Sequence, residues 1–236
     1  MQPIGELWGS RNQSDWDNAL KRYWENPSVK QNLIIENYMH NLKPGAVKGL
    51  DPPGWYSFLD KYFRWKFNRN YLPMRLNDLK SNNLEQLFRV KESLFAFDEI
   101  DLANIRKGLN TVKSPQIRGL GYAGASGLLA VLFPKWFGTA DKFLVKALSK
   151  IGSLRERPQV LAMVHVRKNP KGKEEEDVRI NEKDAVLLID IMRRKATELN
   201  ATFGPDHEWT PREIDMILWA SPRDGADARC LSRTTS

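Results

Sequence analysis

Apolar positions recur at helical spacing along most of this chain. Trp16, Leu20, Tyr23 and Trp24 follow Ser14 and Asp15, either of which can cap a helix. Pro27 interrupts the pattern, which resumes over residues 29–42. Lys43-Pro44-Gly45 and Asp51-Pro52-Pro53-Gly54 are loop signals. Over residues 55–70, Trp55, Phe58, Leu59, Tyr62 and Phe63 share one helical face, which predicts a core position for them. Lys61, Arg64, Lys66 and Arg69 then fall on the outer face, suited to a phosphate backbone, with aromatics able to stack on a base. Residues 84–94 and 99–112 predict two further helices, the second capped by Asp98 or Asp101.

The second half repeats the alternation of helix and loop, with one exception. Val160, Ala162, Val164 and Val166 alternate with other residues and predict a short strand. Residues 168–173, rich in Lys, Gly and Pro, and the acidic run at 174–177 then read as a solvated loop or small hairpin. Asn181 predicts a helix cap, with Asp184 three residues on, for a helix ending near Asn200. Arg193, Arg194 and Lys195 lie towards its end, placed equally well for the helix dipole or for a DNA contact. Thr210-Pro211-Arg212-Glu213 is a capping box with proline at the first helical position. Residues after Pro222 are polar and predicted to fray.

Composition narrows the partners. The chain has 236 residues, 37 Lys+Arg against 29 Asp+Glu and a formal charge of +8, a surplus that favours a polyanion. Its one cysteine, Cys230, excludes an internal disulfide and a cysteine-based cluster, and His40, His165 and His207 are not in metal-ligand spacing. No metal and no cofactor are expected. The first 16 residues contain no signal-like apolar core, and the longest apolar run, residues 128–133, is far short of the roughly 20 residues of a membrane helix. A cytoplasmic protein without a membrane partner is expected.

Residues 114–148 concentrate the chemistry. Gly119-Leu120-Gly121 forms a turn before the small-residue helix at 122–133, and Asp141 opens the next helix, twenty positions after Gly121. Glycines in such a turn permit positive φ and let backbone N–H groups approach a ligand. At a helix N-terminus those N–H groups suit a phosphate. An aspartate after Gly138-Thr139-Ala140 is by itself an ordinary N-cap.

The hydrophobic-x-Gly-hydrophobic-Gly turn, the alanine- and glycine-rich helix and the following aspartate together resemble the helix–hairpin–helix DNA glycosylase superfamily, the endonuclease III-like enzymes. Residues 117–148 align with that pattern without a gap. The resemblance implies that Gly119, Leu120, Gly121, Tyr122 and Ala123 bind DNA and that Asp141 is the catalytic carboxylate. Bifunctional members carry a lysine two residues after the second glycine, where this chain has Ala123. The Val-Asp-Thr-His segment of the family reads Ala140-Asp141-Lys142-Phe143, and the iron–sulfur cysteines are absent. The expected activity is therefore monofunctional hydrolysis of an N-glycosidic bond after base flipping, with Lys142 and Lys135 as neighbouring amines.

The family geometry implies a mainly α fold of two helical subdomains facing each other across a DNA cleft. One would span 25–134, with the helix–hairpin–helix at about 99–133. The other would combine 1–24 with 135–236 and carry Asp141. The expected partner is double-stranded DNA with a damaged or modified base, met by a monomer. A non-enzymatic DNA-binding protein and a helical protein-interaction module are the rival readings.

Overall fold

The structure, a computed structural model, describes residues 2–168 and 174–221. It is mainly helical, with one two-stranded sheet among the described residues. The expected loop at 169–173, the tail after Pro222 and Cys230 lie outside the described residues.

The chain opens with α1 (Ile4–Trp8), which buries Leu7 and Trp8. Asn12, rather than Ser14 or Asp15, caps α2 (Gln13–Glu25) by accepting from the Ser14 N–H. Asp15 is instead held by the Ser10 hydroxyl, 2.6 Å away, inside the first turn where an acid favours the dipole. Residues 29–42 divide at Asn32 into α3 (Pro27–Gln31) and α4 (Leu33–His40). Pro27 starts α3 instead of merely ending α2, because proline fits the first helical position. The two loop signals do the same: Pro44 opens α5 (Pro44–Lys48), and Asp51 caps α6 (Pro52–Lys66) by accepting from the Gly54 N–H.

In α6 the five aromatic and aliphatic positions of the predicted face are all buried. α7 (Leu72–Lys80) and α8 (Leu84–Phe95) follow, and Leu79, Leu87 and Leu94 are buried with that face. The helix expected over 99–112 breaks into α9 (Glu99–Ala103) and α10 (Ile105–Val112), capped by Asp98 and Asn104. After a turn come α11 (Tyr122–Leu132) and α12 (Lys142–Leu148).

The strand expected from Val160 onward starts later. Val160 and Ala162 belong to α13 (Arg157–Ala162), started by Pro158 in its first turn; only Val164 and Val166 lie in β1 (Val164–Lys168). β1 pairs antiparallel with β2 (Glu174–Val178), Val164 opposite Val178. The acidic run is thus the second strand of a small hairpin, with Arg167 opposite Glu175 and residue 168 in register with Glu174.

Asn181 and Asp184 form a full capping box on α14 (Glu182–Phe203), as do Thr210 and Glu213 on α15 (Pro211–Trp219). α14 runs past Asn200, so its basic triplet sits mid-helix, away from the end where the dipole would favour it. Arg193 donates to the carbonyls of Leu102 and Ala103 at 2.8 and 2.7 Å, and burial lowers its pKa to about 10. Lys195 is buried and donates to Trp8 O. Arg194 pairs with Glu156 and Asp190.

Buried apolar residues form one continuous cluster from Ile4 to Leu218, passing through α11. A small second cluster, Tyr23, Val29 and Met216, joins α2, α3 and α15. No helix among the described residues is long and apolar enough to cross a membrane.

Candidate active site

The turn between α10 and α11 is built inward. Ile117 and Leu120 are fully buried, Ser114 N–H donates to Leu120 O, and Arg118 N–H donates to Asn82 Oδ1 at 2.9 Å. Gly119 has φ of +94°, and a Cβ there would stand 2.9 Å from Phe63 Cε1 and 3.0 Å from Asp78 Cβ. Its glycine is therefore required by the backbone and by the packing of α6 and α7. Gly121 differs: it is exposed, its backbone is extended, and nothing lies within 4 Å of a Cβ built on it. It precedes α11 with no side chain capping the first N–H groups. Tyr122 lies beneath Lys113, whose ammonium is 5.0 Å from the ring, and Ala123 is half-buried. Of the expected DNA contacts, Leu120 has its side chain in the core and both backbone groups bonded within the turn, its N–H donating to Ile117 O and its carbonyl accepting from Ser114 N–H. Gly121 is the position open to close approach.

The small residues of α11 have separate tasks. Gly124 makes room for the Leu120 side chain, which a Cβ would meet at 2.9 Å. At Gly127 a Cβ would meet the Tyr62 hydroxyl oxygen at 2.7 Å and the Lys66 stem at 3.3 Å. Ser126 Oγ accepts the Ala140 N–H at 2.9 Å, so α11 fixes the residue before Asp141. On the other side Gly138 is wedged against Met192 of α14 and the Pro211 carbonyl. Gly121 and Ser126 are separated by roughly 8 Å along the helix axis. One rigid element thus spans from the open turn to the aspartate segment.

Asp141 caps α12. Its Oδ1 accepts from the N–H groups of Phe143 and Leu144 at 2.9 and 3.3 Å. Its Oδ2 faces Lys66 Nζ at 3.3 Å, both side chains only about 15% exposed. Lys66 was expected on an outer face; it is the last residue of α6 and turns inward over Gly127. The i, i+4 spacing from the core residue Tyr62 is the trace it leaves in the sequence. Lys142 lies 5.1 Å from the Phe143 ring, and Lys135 pairs with Glu208 at 2.6 Å on the surface.

Asp141 and Lys66 line a cavity of about 560 Å³ between α3, α4, the end of α6 and α15, a size usual for small-molecule sites. No residue of the 119–123 turn lines it. Its lining mixes apolar side chains with charged ones. Arg212 donates to Asp215 Oδ2 at 2.5 Å and stacks on Trp65, its guanidinium 5.3 Å from the ring. Burial opposes both charges, so Asp215 titrates above the usual carboxylate range, whereas its carboxylate keeps Arg212 protonated. Thr139 sits beside Asp215 without reaching hydrogen-bond geometry. The Tyr23 hydroxyl donates to Glu36 at 2.8 Å, and burial followed by that carboxylate raises its pKa strongly. None of these residues was singled out for chemistry in the sequence; Arg212 carried a signal only as part of a capping box.

Among the described residues no group of three or more His, Cys, Asp or Glu could hold a metal ion. Comparison of the chain with family models, with curated proteins and with solved structures yields no match in any of the three.

Proposed function

We propose that the chain is a monofunctional DNA N-glycosylase acting on double-stranded DNA, with Asp141 as its catalytic carboxylate. The supporting observation is a carboxylate held by two backbone N–H groups and Lys66, on the wall of a cavity large enough for an extruded base. The net positive charge and the open backbone at Gly121 suit a phosphate chain.

The chemistry runs as hydrolysis. The C1′–N bond breaks, its electron pair leaves with the base, and positive charge develops on the sugar. Asp141 stabilises that charge and takes a proton from the water that adds to C1′. The proton ends on the departed base, leaving a free base and an abasic site. Lys66 orients the carboxylate as its ammonium partner. Position 123 holds alanine where bifunctional members of the resembling family carry lysine, which supports release without strand cleavage.

Asp141→Asn in the full chain tests the reading. Asparagine still caps α12, so folding and duplex binding should persist while base release falls at least about 100-fold. Release at the wild-type rate would sink the assignment. A second reading has its own support: capping and the Lys66 pair already give Asp141 a complete structural role. In a non-enzymatic DNA-binding protein neither form would release any base, yet duplex binding would remain steeply salt-dependent.

A further inference from the structure

The cavity holds more charge than glycosidic hydrolysis by Asp141 requires. Arg212 and Asp215 are nearly buried, with side chains 12% and 5% exposed. Charges withdrawn from water are costly even when paired, and apolar replacements are often neutral or stabilising. Arg212 has five N–H donors, yet its side chain makes one hydrogen bond among the described residues, to Asp215. Trp65, under the guanidinium, has a buried Nε1 without a partner, a donor only. In the same lining the Tyr23 proton is already given to Glu36, so Tyr23 and Glu36 offer acceptors, and Glu36 makes no ion pair among the described residues. The lining therefore holds both spare donors and spare acceptors.

We infer that Arg212 is a second catalytic residue, which donates to a carbonyl of the extruded base and carries the negative charge that the base takes on as it leaves, while Glu36 accepts a ring N–H. The inference rests on the glycosylase reading and names the substrate class of that site: neutral bases with a carbonyl conjugated to the glycosidic nitrogen. When the C1′–N bond breaks, the electron pair spreads from that nitrogen onto the carbonyl oxygen. A donor already in place there lowers the barrier without reorganisation. Bases alkylated to cations leave as neutral molecules and need no such donor. The guanidinium repels them.

The test compares single-turnover release from duplexes containing uracil, 5-fluorouracil or 3-methyladenine. 5-Fluorouracil is the better leaving group of the first two. The variant Arg212→Met is paired with Asp215→Asn to avoid a lone buried charge, and Glu36→Gln probes the acceptor while both members of that pair stay in place. Wild type should release both uracils and not 3-methyladenine. The double variant should lose about 100-fold on uracil and clearly less on 5-fluorouracil, because a better leaving group needs less help. Glu36→Gln should slow both uracils alike. An equal loss on both uracils in the double variant, an unchanged rate for Glu36→Gln, or release confined to 3-methyladenine would overturn the inference and leave the glycosylase reading standing. No release from any of the three, nor from a wider set of damaged bases, would overturn both.

Discussion

Lys66 reaches Asp141 across a glycine. Its stem passes Gly127 of α11 at a distance where a Cβ would stand 3.3 Å from Cε and 3.4 Å from Cδ, with the Tyr62 oxygen nearer still at 2.7 Å. Gly127→Ala should cost about 1–3 kcal/mol, as overpacking of a filled core does, despite alanine's better helix propensity. Urea unfolding measures the loss. Base release per folded molecule should fall as well, because the amine that orients Asp141 is displaced.

The two glycines of the turn should behave in opposite ways. Gly119→Ala places a side chain at positive φ and against Phe63, so it should destabilise the fold by more than about 1 kcal/mol. Gly121→Ala meets nothing and should fold normally. It should nevertheless weaken duplex binding several-fold, because the added methyl stands where a phosphate would approach the first N–H groups of α11. Thermal melts and binding titrations on the two variants separate these effects; equal binding by Gly121→Ala and wild type would remove the turn from the DNA interface.

On the glycosylase reading, Lys66 is also the amine to test for strand cleavage. Borohydride added during turnover should trap no protein–DNA adduct in the wild type. An adduct that disappears in Lys66→Arg would show that Lys66 acts as a neutral amine and that the enzyme also cleaves the strand.

Two tyrosines should resist alkaline titration. Tyr62 is fully buried, and its pKa is raised first by that burial. Tyr23 is raised for the same reason. A folded-state pKa above the unfolded value near 10 means that their stabilising contribution is complete below that pH. It is lost as the pH rises beyond it, when only the unfolded chain releases the protons. Of the 6 tyrosines, phenolate absorbance should show these two ionising only with unfolding. Tyr62→Phe should make alkaline unfolding less steep and cost about 1–2 kcal/mol at neutral pH, since Gly124 O loses its donor.

The sequence made local features legible. The apolar face of α6, the capping boxes at Asn181 and Thr210 and the aspartate opening α12 are each written in residues a few positions apart. Helix breaks at Asn32 and Asn104 were hidden, because asparagine interrupts a helix as a cap without disturbing the apolar spacing around it. The cavity was hidden for another reason. Lys66, Glu36, Arg212 and Tyr23 come from α6, α4, α15 and α2, and long side chains on those helices meet only after the core has closed. Arg193 and Lys195 show the converse: a basic cluster suited to a polyanion is spent on backbone carbonyls.

α11 carries Gly124 and Gly127 within eleven residues, each costing about 1 kcal/mol of helix propensity relative to alanine. On its own such a segment is a poor helix. It is held in shape by what surrounds it, including Tyr62, Leu120 and Phe67. Competence therefore arrives last. A partly collapsed chain, with α11 still unwound, has no Ser126 to hold Ala140 and no groove for Lys66. On the glycosylase reading, an extruded base would meet an ordered carboxylate only in the finished molecule.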